Sequence, residues 1–185
     1  MVYVPRWNAR FGKPLLNQLI AIIQRDQAAA LAIVNAARET DGNPALPAIE
    51  EIHKGPALYT GFPWLTVALA SEAFDPSVDH YRHSGPRLRL VLDSGQFDQE
   101  ATQEDCADYA WLLDMIVTTA SPRDWCTPLA IVHETMPSGM TVPNATGSVK
   151  RVFVEDHIYG KVDAQGRDTP IMRVEIPLLF ELFET

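Results

Sequence analysis

The chain has 185 residues, 46% of them hydrophobic, which suits one domain with a sizeable core. Fifteen Lys and Arg stand against 24 Asp and Glu, a formal net charge of −9, which argues against a surface built to neutralise phosphates and otherwise serves solubility. No apolar run comes near the ~20 residues of a membrane helix, and Met1-Val2-Tyr3-Val4-Pro5-Arg6 lacks the basic-then-apolar order of a signal peptide. The expected compartment is a cytoplasm, where Cys106 and Cys126 stay reduced.

Met1 to Lys13 mixes Pro5, Asn8, Arg10 and Gly12 and reads as an irregular arm. Its Trp7 and Phe11 are expected to dock either on their own domain or on a neighbouring subunit. Pro14 fits a first helical position, so a helix is predicted from Pro14 to about Glu39. Leu16, Leu19, Ile20, Ile23, Gln27, Ala30, Leu31 and Val34 fall on one stripe of it, with only Gln27 polar, and Ile22 and Ile33 beside that stripe ask for cover on more than one side. Thr40-Asp41-Gly42-Asn43-Pro44 is a dense stop signal. Ala48 to Lys54 reads as a short strand, and Trp64 to Ala70 as a better one with Leu65, Val67 and Leu69 on one face. Glu72 to Gly85 is then a long polar loop closing a hairpin.

The clearest pattern runs from Pro86 to Ala120. Leu88, Leu90 and Leu92 alternate with Arg87 and Arg89, the period of a strand with one buried face. Asp93-Ser94-Gly95 ends it. Thr102 is the predicted N-cap of a helix reaching Ala120, with Glu104 and Asp105 in its first turn. Cys106, Tyr109, Ala110, Leu113, Ile116 and Val117 form its apolar stripe. A strand is predicted over Thr127 to His133, and a second long loop over Glu134 to Gly147. Ser148 to Tyr159 reads as a strand with Val152 and Val154 on one side and Val149, Arg151 and Phe153 on the other. After a turn at Asp163 to Asp168, Ile171 to Phe183 returns with Met172, Val174, Ile176, Leu178 and Phe180 alternating. Pro177 removes a ladder donor and implies an edge or a bulge. The fold class is therefore α+β: a mainly antiparallel sheet packed with two main helices and long β-hairpins, one domain over 1–185 with an arm over 1–13.

Chemistry is scarce. His80 and His83 are spaced to approach one metal, but no Cys or third His lies nearby, and Asp75 and Asp79 are ordinary loop residues. Asp108 and Asp114 read as a solvated helix face better than as an acid/base pair. There is no glycine-rich phosphate loop and no nucleophile elbow. Cys106, on an apolar stripe, is expected to be an inert core thiol. No catalytic residue, metal or cofactor is expected. The two long loops, carrying Asp79, His80, Tyr81 and His83 in one and Met136 and Met140 in the other, are expected to touch subunits or partners. The end of the last strand, with Leu178, Phe180, Leu182 and Phe183, is too apolar for a solvated tail. It is expected to be covered either by the chain's own helices or by the sheet edge of a neighbouring subunit.

The order of elements resembles the tail-terminator proteins of long-tailed bacteriophages and the related minor tail and tail-completion proteins. The resemblance rests on the long helix Pro14 to Glu39, the strand Pro63-Trp64-Leu65-Thr66-Val67, and the alternating strand Leu88 to Leu92. It continues with the polar break Asp93 to Gln103, Tyr109 on the following helix, and the closing strands Val149 to Tyr159 and Ile171 to Phe183. What it implies is a structural virion protein, made in the host cytoplasm. Copies of it form a ring, usually a hexamer, on the head-proximal end of the tail tube. That ring meets the tail tube protein on one side and the head-tail connector or stopper protein on the other. Viral DNA passes through without specific binding, and no membrane is involved. A head-completion, stopper or other neck protein is the nearest alternative; a small α/β enzyme or ligand-binding domain using the His80–His83 loop is one of another class.

Overall fold

The computed structural model describes residues 8–55, 61–74, 83–95, 99–120, 129–131, 145–162 and 171–184. In chain order they form α1 (Asn8–Asp41), β1 (Ile52–Lys54), β2 (Trp64–Phe74), β3 (His83–Gly95), α2 (Gln99–Thr119), β4 (Leu129–Ile131), β5 (Ala145–Val154), β6 (Ile158–Val162) and β7 (Ile171–Glu184). The strands make one sheet in the order β1-β2-β3-β7-β5-β4, with β6 also paired to β7. The β1–β2 pair is parallel and the other pairs are antiparallel, so the α+β class holds.

The alternation of β3 and β7 decides the layering. Leu88, Leu90 and Leu92 on β3 and Val174, Ile176, Leu178 and Phe180 on β7 all turn to one face and are buried. Leu65 and Val67 of β2 join them. Leu19, Ile23 and Val34 of α1 and Tyr109, Leu113 and Ile116 of α2 cover this face in a single apolar cluster. At its far end α1 stops in a Schellman motif: Gly42 has φ 79, its N–H donates to the Glu39 carbonyl, and the Asn43 N–H donates to the Arg38 carbonyl.

Several expectations need correction. Helix α1 begins at Asn8, not Pro14, so Phe11 is helical; the proline removes only the bond its own N–H would make, and the turns before it persist. Helix α2 begins at Gln99, so Thr102 is inside the first turn and buried, not the cap. The hairpin loop is shorter than Glu72 to Gly85, because Glu72 pairs with Pro86, Ala73 with Gly85 and Phe74 with Ser84. The strand from Ser148 to Tyr159 is two strands, β5 and β6. A register shift between Val149 and Arg151 leaves Lys150 unpaired. That bulge turns Val149 to the core beside Val152 and Val154, against the parity expected, while Phe153 stays outside. A similar shift after Leu69 bends β2, and Leu69 is 44% exposed instead of core.

Strand β7 is central, not an edge. The Pro177 carbonyl accepts from the Glu155 N–H at 3.0 Å, where the chain passes from β5 to β6. A strand residue points its N–H and C=O to the same side, so the donor that proline lacks falls at this break in the ladder. The α1 stretch Leu15–Asp41 is long and apolar enough to cross a membrane by length and composition, contrary to the expectation of no such run.

Leu90 and Ile116 are both under 2% exposed, on facing layers of the core. Leu90→Ala and Ile116→Ala are each expected to cost roughly 2–5 kcal/mol in urea unfolding. Losses under about 0.5 kcal/mol at both sites are incompatible with this packing.

Candidate interaction surface

The titratable side chains that come together do so as a structural clasp. Arg38, 5% exposed in the last turn of α1, donates through Nη2 to Asp105 Oδ1 at 2.8 Å and through Nη1 to the Asp108 carboxylate on α2. Its Nε donates to the Pro44 carbonyl at 2.7 Å. Asn35 holds Leu46 at both ends: Nδ2 donates to its carbonyl at 3.2 Å and Oδ1 accepts from its N–H at 2.8 Å. Tyr109 Oη donates to the Pro47 carbonyl at 2.7 Å. The stretch after α1 is thus pinned across both helices. Asp108 is therefore a partner of Arg38, not merely part of a solvated helix face. The sequence carries no local signal for this cluster, because its members lie about seventy residues apart. A buried ion cluster with its donors satisfied is a structural device and offers no free base or nucleophile.

Cys106 behaves as expected. It is fully buried, its Sγ donates to the Met172 carbonyl at 3.3 Å, and burial pushes its pKa up to about 12. Among the described residues no group of three or more His, Cys, Asp and Glu is placed to hold a metal. His53 stacks flat on Trp64, with ring centroids 3.7 Å apart.

The open surface is the face of the sheet away from the helices. Its polar residues pair across strands. Arg173 on β7 binds Asp93 on β3 through two bonds, at 2.7 and 2.9 Å. Arg89 Nη1 lies 3.1 Å from Glu175 Oε2, and Arg87 donates to Glu155 at 2.9 Å. These three arginines each meet a carboxylate, and a fourth, Arg151 on β5, stands exposed opposite Glu181 on β7. Beside them Phe153 is 43% and Ile158 52% exposed. Strand β6, paired with β7 alone among the described residues, offers the unpaired edge next to Ile158. A groove of about 380 Å³ runs along it, lined by Ile158 to Val162 with Arg173 and Glu175. The sequence set Phe153 on the side opposite Val152 and Val154 without showing which side faces out, and neither the end of the strand at Val154 nor the new edge at β6 was legible.

The expected interface residues separate into three groups. Trp7, Asp79, His80, Tyr81, Met136 and Met140 lie outside the described residues. Phe11 lies on α1. On the strands, His83 stands opposite Phe183, and Leu182 lies between Ser84 and Val149. Leu178 and Phe180 are fully buried in the chain's own core, so the chain's own layers are what cover them.

No family model and no curated protein matches the sequence. Among solved structures, the chain is similar to one from the virion of a native gene transfer agent particle, at 10% identity and a TM-score of 0.41. The match covers 71% of this chain and 78% of that one.

The thiol supplies a pH dependence. The unfolded Cys106 ionises near its ordinary value of 9.0 while the folded one stays protonated to about 12. Over that window the folded state binds more protons, so stability is expected to fall as pH rises from 9 towards 12. Burial raises Tyr109 too, in the same direction. In a Cys126→Ser background, Cys106 is expected to resist alkylation at pH 8.5 until the chain is unfolded in urea. Rapid labelling of the folded protein contradicts this burial.

Proposed function

We propose that this chain is a structural virion protein that assembles with copies of itself into a ring, of the tail-terminator kind, at the head-proximal end of a phage tail tube. The observation that carries this reading is the open outer sheet face with its unpaired β6 edge. Exposed Phe153 and Ile158 flank backbone groups that have no strand partner among the described residues. Such an edge is a template for pairing with another chain. A heterologous contact of this kind, repeated with rotation, closes as a ring. The Arg38–Asp105–Asp108 cluster, by contrast, is already satisfied and gives an enzyme nothing to work with. In this reading six copies end tube growth and present a surface to the head-tail connector or stopper protein. DNA passes the lumen unbound, which an excess of nine negative charges favours.

Light scattering over a range of concentrations is expected to show growth to about six chains, and negative-stain images of that species a ring with a central hole. Ile158→Lys and Phe153→Glu should abolish the ring and leave stability within about 0.5 kcal/mol, as for exposed sites. A species that never exceeds two chains, with no ring on tail tubes, refutes the reading.

A further inference from the structure

Charge is unevenly spread along the chain. Residues 1–13 carry Arg6, Arg10 and Lys13 and no acidic residue; the first of those is Asp26. All 24 Asp and Glu lie beyond residue 13, against twelve Lys and Arg. Arg10 and Lys13 belong to α1, which begins at Asn8. Arg6 stands ahead of that helix between Pro5 and Trp7, so this short segment offers a cation with an aromatic residue beside it.

A cleft of complementary chemistry lies where the chain passes from α1 into β1 and β2. It encloses about 340 Å³, and its lining includes Pro47, Glu50, Glu51 and the run Phe62 to Trp64. Its walls are held in place. The Pro47 carbonyl accepts from Tyr109 Oη. Trp64 is 3% exposed and stacks on His53. The Phe62 ring lies so close to Gly95 that a Cβ there would come within 2.9 Å of it. Glu51 Oε2 stands 3.2 Å from His53 Nε2. Glu50 is exposed and has no hydrogen-bond or ion-pair partner among the described residues. A rigid apolar wall with a carboxylate at its rim suits a cation on an apolar stem. A guanidinium pairs with the carboxylate and lies flat on an aromatic ring.

The cleft is out of reach of its own chain's Arg6. The segment after α1 runs back along the helix, because Asn35 holds Leu46 and Asn17 Oδ1 accepts from Lys54 Nζ at 2.5 Å. Glu50, midway between Leu46 and Lys54, is therefore level with the middle of α1, about 27 Å along the axis from Asn8. Arg6 precedes Asn8 by two residues, no more than about 7 Å of chain. Even a fully extended side chain leaves it well short.

We infer that Pro5-Arg6-Trp7 of one copy of the chain docks on this cleft of another copy, with the Arg6 guanidinium between the Glu50 carboxylate and the Phe62 ring. The contact is heterologous, because arm and cleft are different surfaces. It does not depend on the sheet edge proposed for ring closure.

The test mixes two whole chains, both with Cys126→Ser and one with a tag that shifts its size. One carries Pro5→Cys, beside Arg6; the other carries Ala48→Cys, exposed in the cleft lining. Under mild oxidation, unlike chains are expected to link about tenfold faster than like ones. Ala107→Cys, exposed on α2 beside Glu104 and Asp108, is the control on another acidic surface and should not link to Pro5→Cys. Arg6→Glu on the first chain or Glu50→Arg on the second should slow the linking about tenfold, and the two together should restore most of it, since each reversal alone sets like charges in contact. Circular dichroism confirms that each variant stays folded. No linking of unlike chains, linking at Ala107 as readily as at Ala48, or no rescue by the paired reversal overturns the inference. So does a chain with both Pro5→Cys and Ala48→Cys that closes within itself at high dilution, which would seat the arm on its own subunit. A ring that forms without linking at the cleft refutes the arm contact and spares the sheet edge; linked chains that never form a ring do the reverse.

Discussion

The antiparallel pairing of β3 with β7 is the contact on which the other elements depend. It joins segments far apart in the chain, running from His83 opposite Phe183 to Gly95 opposite Ile171. Strand β2 extends the sheet from β3, β5 and β6 extend it from β7, and α2 packs on both. Its register has little freedom. A one-residue slip sends Leu88, Leu90 and Leu92 to the outer face and Arg87 and Arg89 into the core. It also parts Asp93 from Arg173, which stand directly opposite and share two hydrogen bonds. Apolar alternation on one face and a charge pair on the other therefore select the same register.

The helical layer is fastened by a different interaction. The apolar stripes of α1 and α2 supply most of the burial, but they do not fix where the chain goes after α1. Arg38, Asn35 and Tyr109 do, by occupying the carbonyls of Pro44, Leu46 and Pro47. Removing Arg38 would leave Asp105, only 2% exposed, without the cation that offsets its burial. Leu46 and Ile49 are then delivered to the core, and β1 beside β2.

Legibility followed the range of the interactions. The inner rows of β3 and β7, the stripe of α2 and the inert Cys106 were read from period and composition, because each depends on neighbours a few residues away. Pro177 was misread for the opposite reason. Proline excludes a ladder bond but does not say which flanking strand lacks one, and here the gap is where β5 gives way to β6. Val149 was misread because an extra residue at Lys150 reverses parity, and no residue type marks that bulge. Arg38 had no local signal at all, since both its carboxylates lie on another helix. Of the candidate surface, parity set Phe153 apart from Val152 and Val154 without saying which side faces out, and Ile158 became an edge residue only through the break at 155–157.

A sheet with helices on one face leaves two surfaces to account for, and in this chain they differ in kind. The outer face of the sheet sets arginines beside carboxylates: Arg87 with Glu155, Arg89 with Glu175, Arg173 with Asp93, and Arg151 opposite Glu181. The exposed pairs among them contribute little in water, whereas Asp93, only 2% exposed, depends on Arg173 to offset its burial. The outer face of α1 carries no charge from Gln27 to Ala37, and just before it Arg25 is held by two bonds to Asp26. The sheet side offers backbone groups at the β6 edge, whereas the helix side offers small apolar side chains around Ile33. The two lie on opposite sides of the core, so a contact along the sheet edge leaves the helix layer uncovered.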